Sequence, residues 1–221
     1  MIKYYYEDKY KTELDTKLTE TFEDNNKYFV KLEDSIYYPQ GGGQKGDKGY
    51  IVIDNERYNI INTVKDENFN SVLILDKPVD SKYIGSEVKC YLDMDYRFRQ
   101  MRLHTALHLY HMVIEKVKGS TLDYPTASNI EDGFAYNKYN DSSFDVNILD
   151  EVTKAFNELI KTKETVITYP DQENPNYRYY ECMNYIIPCG GIHVDSIDQI
   201  GDLKIEVSHK KKVITIKMII A

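Results

Sequence analysis

The 221-residue chain predicts an α+β protein: a small N-terminal β-barrel over residues 1–88, then an α/β domain over residues 89–221 with an antiparallel sheet and a helix carrying a histidine pair. Three observations lead there. Short β-branched and aromatic runs between turn residues fill the first part, the hydrophobic period shifts to three and four after Leu92, and the last residues alternate as a closing hairpin does.

The early runs are Tyr28 to Leu32, Gly49 to Asp54, Arg57 to Val64 and Ser71 to Leu75, followed by Val88 to Leu92. Side chains of these types fit a pleated, half-buried surface, and several short runs in series suggest a curled or closed sheet. Beyond them, Leu103, Ala106, Leu107, Tyr110, Val113, Ile114 and Val117 recur at helical spacing, with Asp95 as the expected N-cap and Gly119 as the expected stop. His104 and His108 lie roughly a third of a turn from the centre of that stripe, which places them at the margin between core and solvent. A second helix is expected over Val146 to Lys161, built on Ile148, Leu149, Val152, Phe156, Leu159 and Ile160. A strand at Thr165 to Thr168 precedes a polar excursion from Pro170 to Asn176. Ile205 and Val207, then Val213, Ile214, Ile216, Met218 and Ile219, form the final hairpin around Lys210, Lys211 and Lys212.

Composition narrows the class. A hydrophobic fraction of 42% suits an ordinary globule, and neither a targeting signal nor a run of membrane-spanning length is visible. Three cysteines, odd in number and widely spaced, make no disulfide framework, so a reducing cytoplasm is the expected setting. Cys90 and Cys182 read as structural thiols. A net charge of −8 repels phosphate, so any nucleic-acid partner is met by a local basic patch and held weakly. Arg97, Arg99 and Arg102 at the start of the histidine helix, Lys116 and Lys118 at its end, and Lys210 to Lys212 are the available patches.

The chemistry-bearing residues fall into two clusters. Residues four apart on a helix stand one turn above each other, so the imidazoles of His104 and His108 can reach one ion. In Cys189-Gly190-Gly191-Ile192-His193 the two glycines let the backbone curl and turn thiolate and imidazole inward together. Alone, each cluster has an ordinary explanation, a surface histidine pair or a buried thiol beside a turn. Together they take four of the eight histidine and cysteine residues in the chain, five and three in number, which favours a metal site. Nitrogen and sulfur donors point to zinc. His111, three after His108 and near the same face, is an alternative ligand. Thr105, Ala106 and Leu107 occupy the gap where a metalloprotease helix carries its glutamate base, so protease chemistry is disfavoured.

A second informative stretch runs from Ser35 through Tyr38-Pro39-Gln40-Gly41-Gly42-Gly43-Gln44 to Asp47. Three consecutive glycines allow close backbone approach to a ligand, with amides and a glutamine available for hydrogen bonding; the plain alternative is a flexible hairpin turn. No Lys-Ser or Lys-Thr follows at phosphate-loop spacing, which excludes a nucleoside-triphosphate site of that kind.

In this order, the Tyr38 to Asp47 stretch, Arg102-Leu-His-Thr-Ala-Leu-His108 and Cys189-Gly-Gly-Ile-His193 resemble the free-standing alanyl-tRNA editing proteins, relatives of the editing domain of alanyl-tRNA synthetase and, more distantly, of threonyl-tRNA synthetase. The resemblance covers most of the chain. It implies a two-part architecture, barrel then editing domain, and a trans-editing hydrolase that removes serine or glycine from mischarged tRNA(Ala), with zinc held by His104, His108, Cys189 and His193. It also implies that Ser35, where relatives often carry threonine, meets the hydroxyl of a misplaced serine, and that Gly41, Gly42, Gly43 and Gln44 contact substrate. Three departures stand out: Ile192 replaces a usual threonine, Lys45 a common proline, and the C-terminal strands lack an arginine and an RNA-binding extension often seen there.

For ester hydrolysis a water nucleophile and a developing oxyanion must be positioned. Gln44, the loop amides and the substrate's own vicinal hydroxyl are the expected positioning groups, with His104 and Cys189 counted as catalytic through the metal. Two other classes share these residues: a metal-dependent esterase acting on small aminoacyl or acyl esters, and a non-catalytic RNA-binding module stabilised by zinc.

Overall fold

The computed structural model describes all 221 residues, which divide into two compact units, Met1–Arg97 and Phe98–Ala221. The first opens with a short helix α1 (Tyr4–Glu7) and continues through β1 (Glu13–Asp24), β2 (Lys27–Leu32), β3 (Gly49–Ile53), β4 (Glu56–Lys65), β5 (Ser71–Leu75) and β6 (Glu87–Leu92). These six strands close into an antiparallel barrel in the order β1-β2-β5-β4-β3-β6. β6, in which the expected boundary at residue 88 falls, pairs with both β1 and β3 and so completes the barrel.

Two tight turns set the hairpin registers. Asn25–Asn26 and Asp54–Asn55 all have positive φ, the conformation in which a two-residue turn matches the right-handed twist of its strands. Alternate residues then point inward, and Leu18, Val30, Leu32, Ile51, Ile53, Tyr58, Leu73, Leu75, Val88 and Cys90 form the core with Tyr37 among them. The buried Tyr37 hydroxyl is satisfied by strand backbone, donating to Tyr50 O at 2.9 Å and accepting from Tyr91 N–H at 3.0 Å. Tyr37, Ser71 and Asp47 also tie the glycine-rich segment to the sheet: Ser71 Oγ donates to Tyr37 O at 2.8 Å, and Asp47 N–H donates to Tyr38 O at 2.9 Å. Gly46 permits this close approach, because a β-carbon there would lie 2.0 Å from Thr63 O.

Helix α2 (Met94–Lys118) follows, and with Phe98 the second unit begins. Its N-cap is Asp93 rather than the expected Asp95: the Asp93 carboxylate accepts from Tyr96 N–H at 2.9 Å. Gly119 ends it as expected, at φ +75° with its N–H on Glu115 O. β7 (Ala127–Ile130) and β8 (Phe134–Asn140) precede helix α3 (Leu149–Leu159), which a 3₁₀ turn at Val146–Ile148 introduces. β9 (Val166–Pro170), β10 (Arg178–Cys182) and β11 (Tyr185–Pro188) make a three-stranded antiparallel sheet, and β12 (Leu203–Lys210) and β13 (Val213–Ile220) join β8 and β7 in a four-stranded one, ordered β12-β13-β8-β7. Lys211 and Lys212, both at positive φ, form the turn of the closing hairpin.

The first strand, β1, is polar and the β7–β8 and β10–β11 hairpins are rich in tyrosine, so their alternation is weak and pattern alone does not reveal them. Their order comes from pairing with neighbours: β8 is zipped to β13 over seven residue pairs from Val213↔Asn140 to Ile219↔Phe134. No helix is long and apolar enough to cross a membrane.

Candidate metal centre

Between Met101 and Ile114 helix α2 is buried or half-buried at every position, so it is a central element of the second unit. This corrects the expected marginal position for His104, which is 3% exposed, while His108 is half-buried as a residue at the margin would be. The apolar stripe predicted one buried face, whereas the residues between its members are buried too.

Cys189 and His193 follow β11. The Cys189 N–H donates to Arg178 O at 2.8 Å, extending the β10–β11 pairing and fixing where the turn starts. Gly191 N–H then points at the sulfur, 3.4 Å away. Tyr180 on β10 packs its ring against both His108 and His193, with centroids 5.1 and 4.7 Å apart. His104, His108, Cys189 and His193 converge so that their donor atoms all lie within 4.8 Å of one another.

The donor set fits zinc. Ligand bonds of about 2.3 Å to sulfur and about 2.0–2.1 Å to nitrogen, arranged tetrahedrally, put sulfur and nitrogen about 3.6 Å apart. Cys189 Sγ is 3.3 Å from His108 Nε2, 3.5 Å from His104 Nε2 and 3.3 Å from His193 Nε2. One sulfur with three imidazole nitrogens at near-equal range matches the three sulfur–nitrogen edges of a tetrahedral site. His111 is not part of it: its Nδ1 lies 2.9 Å from the Tyr139 hydroxyl, and its Nε2 faces Glu115 at 3.9 Å.

Burial sets the protonation. It pushes the His104 imidazole down to about 4 and His108 well below the usual histidine range, so both offer free lone pairs at neutral pH. It pushes the Cys189 thiol up to about 11, against which the Gly191 N–H works in the opposite direction. Metal capture by this site therefore has to release the thiol proton.

The glycine-rich residues belong to the first unit. Gly41 and Gln44 exchange backbone hydrogen bonds at 3.0 and 3.1 Å across Gly42 and Gly43, which sit at φ +60° and +84°. The stretch is thus a tight hairpin turn with Gly42 exposed and Gln44 fully buried. Ser35 is 1% exposed, and its hydroxyl accepts from Tyr37 N–H at 3.0 Å.

Of the three arginines at the start of the histidine helix, Arg97 is withdrawn from solvent, while Arg99 and Arg102 are half-buried. Arg97 is fully buried, donating to Asp47, to Ile36 O and to Lys9 O. Arg99 pairs with Asp132 at 3.0 Å, and Arg102 donates to Ile200 O at 2.6 Å. Their sequence spacing gave no sign of these distant partners. Thr105, whose hydroxyl touches His193, was also missed; its place next to a ligand was the only available signal.

A comparison over nearly the whole chain decides the family. The chain is 32% identical over 212 residues to the alanyl-tRNA editing protein AlaX-M of Pyrococcus horikoshii, covering 91% of this chain and 88% of that one. It belongs to the alanyl-tRNA editing proteins. A second relative from that organism, alanyl-tRNA editing protein AlaX-L, is 26% identical over 235 residues, 94% of this chain and 54% of its own length. The alanine–tRNA ligase of Metallosphaera sedula is 33% identical over 117 residues, which are 53% of this chain and 12% of the ligase. Residues 3–96 match the family model described as tRNA synthetases class II (A). That family match spans nearly all of the barrel unit, while the AlaX-M alignment extends through both units.

Proposed function

We propose that the protein is a zinc-dependent aminoacyl-tRNA hydrolase that deacylates seryl- or glycyl-tRNA(Ala) in trans. The observation that carries this reading is the convergence of His104, His108, Cys189 and His193 in a member of the alanyl-tRNA editing family. Held by all four side chains, zinc would organise the pocket, and it would supply Lewis acidity toward the ester carbonyl by expanding its coordination.

The chain's own residues supply the rest. Neutral His104 and His108 offer nitrogen donors without first losing a proton, and the rigid helix holds the two one turn apart. Gln44 and the Gly41, Gly42 and Gly43 backbone are assigned to substrate contact, and Ser35 to the seryl hydroxyl. To make that contact Ser35 exchanges its bond to the Tyr37 amide for one to substrate, a swap worth about 1 kcal/mol in either direction. The acidic surface, at a net charge of −8, is in keeping with weak tRNA binding through few phosphate contacts.

The deciding experiment measures release of serine, glycine and alanine from matched charged tRNA(Ala), with and without chelation. Preferential, chelator-sensitive release of serine or glycine is expected. Equal hydrolysis of a minimal aminoacyl-adenosine and the whole tRNA would support the small-ester hydrolase instead, and RNA binding without turnover the zinc-stabilised binding module.

A further inference from the structure

Thr105 lies between the two helix-borne ligands and is fully buried. Its hydroxyl Oγ1 is 2.8 Å from Met101 O, one helical turn back. A carbonyl only accepts, so the single hydroxyl proton of Thr105 is committed to that bond. The lone pairs of Oγ1 face two further groups: Val194 N–H, which donates to it at 3.3 Å, and His193 Nδ1 at 3.2 Å. With its proton already used, Thr105 can only accept from the imidazole.

Resting on the metal-centre reading, we propose that Thr105 is a positioning residue that holds His193 in the tautomer protonated at Nδ1, so that the bare Nε2 is presented to zinc. A neutral imidazole carries one N–H. If Nδ1 bears it, the lone pair sits on Nε2, the nitrogen 3.3 Å from Cys189 Sγ. His193 is itself fully buried, so bulk water does not contact the ring. The Val194 N–H bond to the same oxygen pins the backbone just after the ligand, fixing the ring's position along with its proton. Helix α2 thereby supplies two ligands directly and aims a third through Thr105, which couples the Cys189–His193 loop to the helix. Outer-shell partners of this kind set both tautomer and orientation of a metal-bound histidine.

The test uses the full-length protein with Thr105→Val, which keeps the shape and removes the hydroxyl, and Thr105→Ser, which keeps the hydroxyl. Zinc affinity is measured by chelator competition, and the His193 tautomer by long-range nitrogen–proton NMR couplings in the metal-free protein. Thr105→Val is expected to weaken zinc binding about 10–100-fold and to leave His193 as a mixture of tautomers, while Thr105→Ser restores both properties. Wild-type His193 protonated at Nε2, or Thr105→Val with unchanged affinity and a pure Nδ1–H tautomer, would overturn the proposal. Failure of wild-type protein to bind zinc would overturn the metal-centre reading instead; the tautomer measurement still decides the role of Thr105 in that case. It also decides if Thr105→Val does not fold, because the wild-type ring is observed directly.

Discussion

Arg97 and Asp47 form an ion pair sealed from solvent within the barrel unit, with side chains 0% and 1% exposed. Burial raises the Asp47 carboxyl, and the guanidinium and the Tyr38 N–H work in the opposite direction. Removing the cation would strand a desolvated carboxylate. Arg97→Ala is expected to cost about 3–5 kcal/mol of stability, read as a lower urea midpoint. An Asp47→Asn, Arg97→Met double variant should recover part of that loss, and a single variant with the wild-type midpoint would show that the pair contributes nothing.

Metal stoichiometry follows from the four-donor cluster. Purified protein is expected to hold about one zinc per chain, as a site assembled only by folding would. His104→Ala or Cys189→Ala should lower zinc content and deacylation together. His111→Ala should keep the metal, because that ring bonds to Tyr139. Metal analysis showing full occupancy in the first two variants, or loss in the third, would reassign the ligands.

The buried imidazoles make stability depend on pH. His104, lowered by burial to about 4, and His111, lowered chiefly by burial and opposed by Glu115, stay neutral in the fold while the unfolded chain takes up protons below about pH 6.5. The unfolded state thus binds more protons, so stability is full above about pH 6.5 and falls as pH drops, by up to about 1.4 kcal/mol per pH unit for His104 until its ring is protonated in the fold at about 4, with His111 adding to the slope until its own ring is protonated. Denaturant titrations of chelated protein at several pH values should show this slope. His111→Gln should make it shallower, and an unchanged slope would remove His111 from the account.

Ser35 separates a substrate role from a structural one. If its hydroxyl meets the seryl side chain, Ser35→Ala should reduce discrimination of seryl over alanyl ester by up to about tenfold and leave glycyl hydrolysis nearly intact. The bond between its hydroxyl and Tyr37 N–H predicts the other outcome, an equal loss on all three substrates, should the role be structural. Single-turnover deacylation of the three charged tRNAs distinguishes them.

RNA contact is expected at exposed lysines and not at Arg97. Lys211 and Lys212 project from the turn of the β12–β13 hairpin, exposed and without ion-pair partners. Lys211→Ala should make the salt dependence of tRNA affinity shallower by about one contact while the rate at saturating substrate is kept. An unaltered slope would place the RNA on another surface.

Much of the barrel was legible because β2 to β6 carry β-branched and aromatic residues in short, bounded runs, and the stop at Gly119 because only glycine readily takes that φ. β1 was not, since its exposed polar side chains give little pattern and its place is set by pairing with β2 and β6. Asp95 looked like the cap by residue type, yet the helix starts two residues earlier, where the Asp93 carboxylate reaches Tyr96 N–H.

The candidate metal site divides in the same way. Residue type and spacing determined which four side chains to consider, because His104 and His108 share a helix face and Cys189 and His193 share a short glycine turn. Both pieces of information are local. Tertiary structure alone decided that the two pairs meet, that His111 turns to Tyr139 instead, that Arg97 is spent on Asp47, and that Thr105 reaches across to His193. Each of those outcomes depends on which residues packing brings within about 3 Å of one another, the range at which hydrogen bonds act. Spacing along the chain carries no record of that distance once the partners lie on different elements.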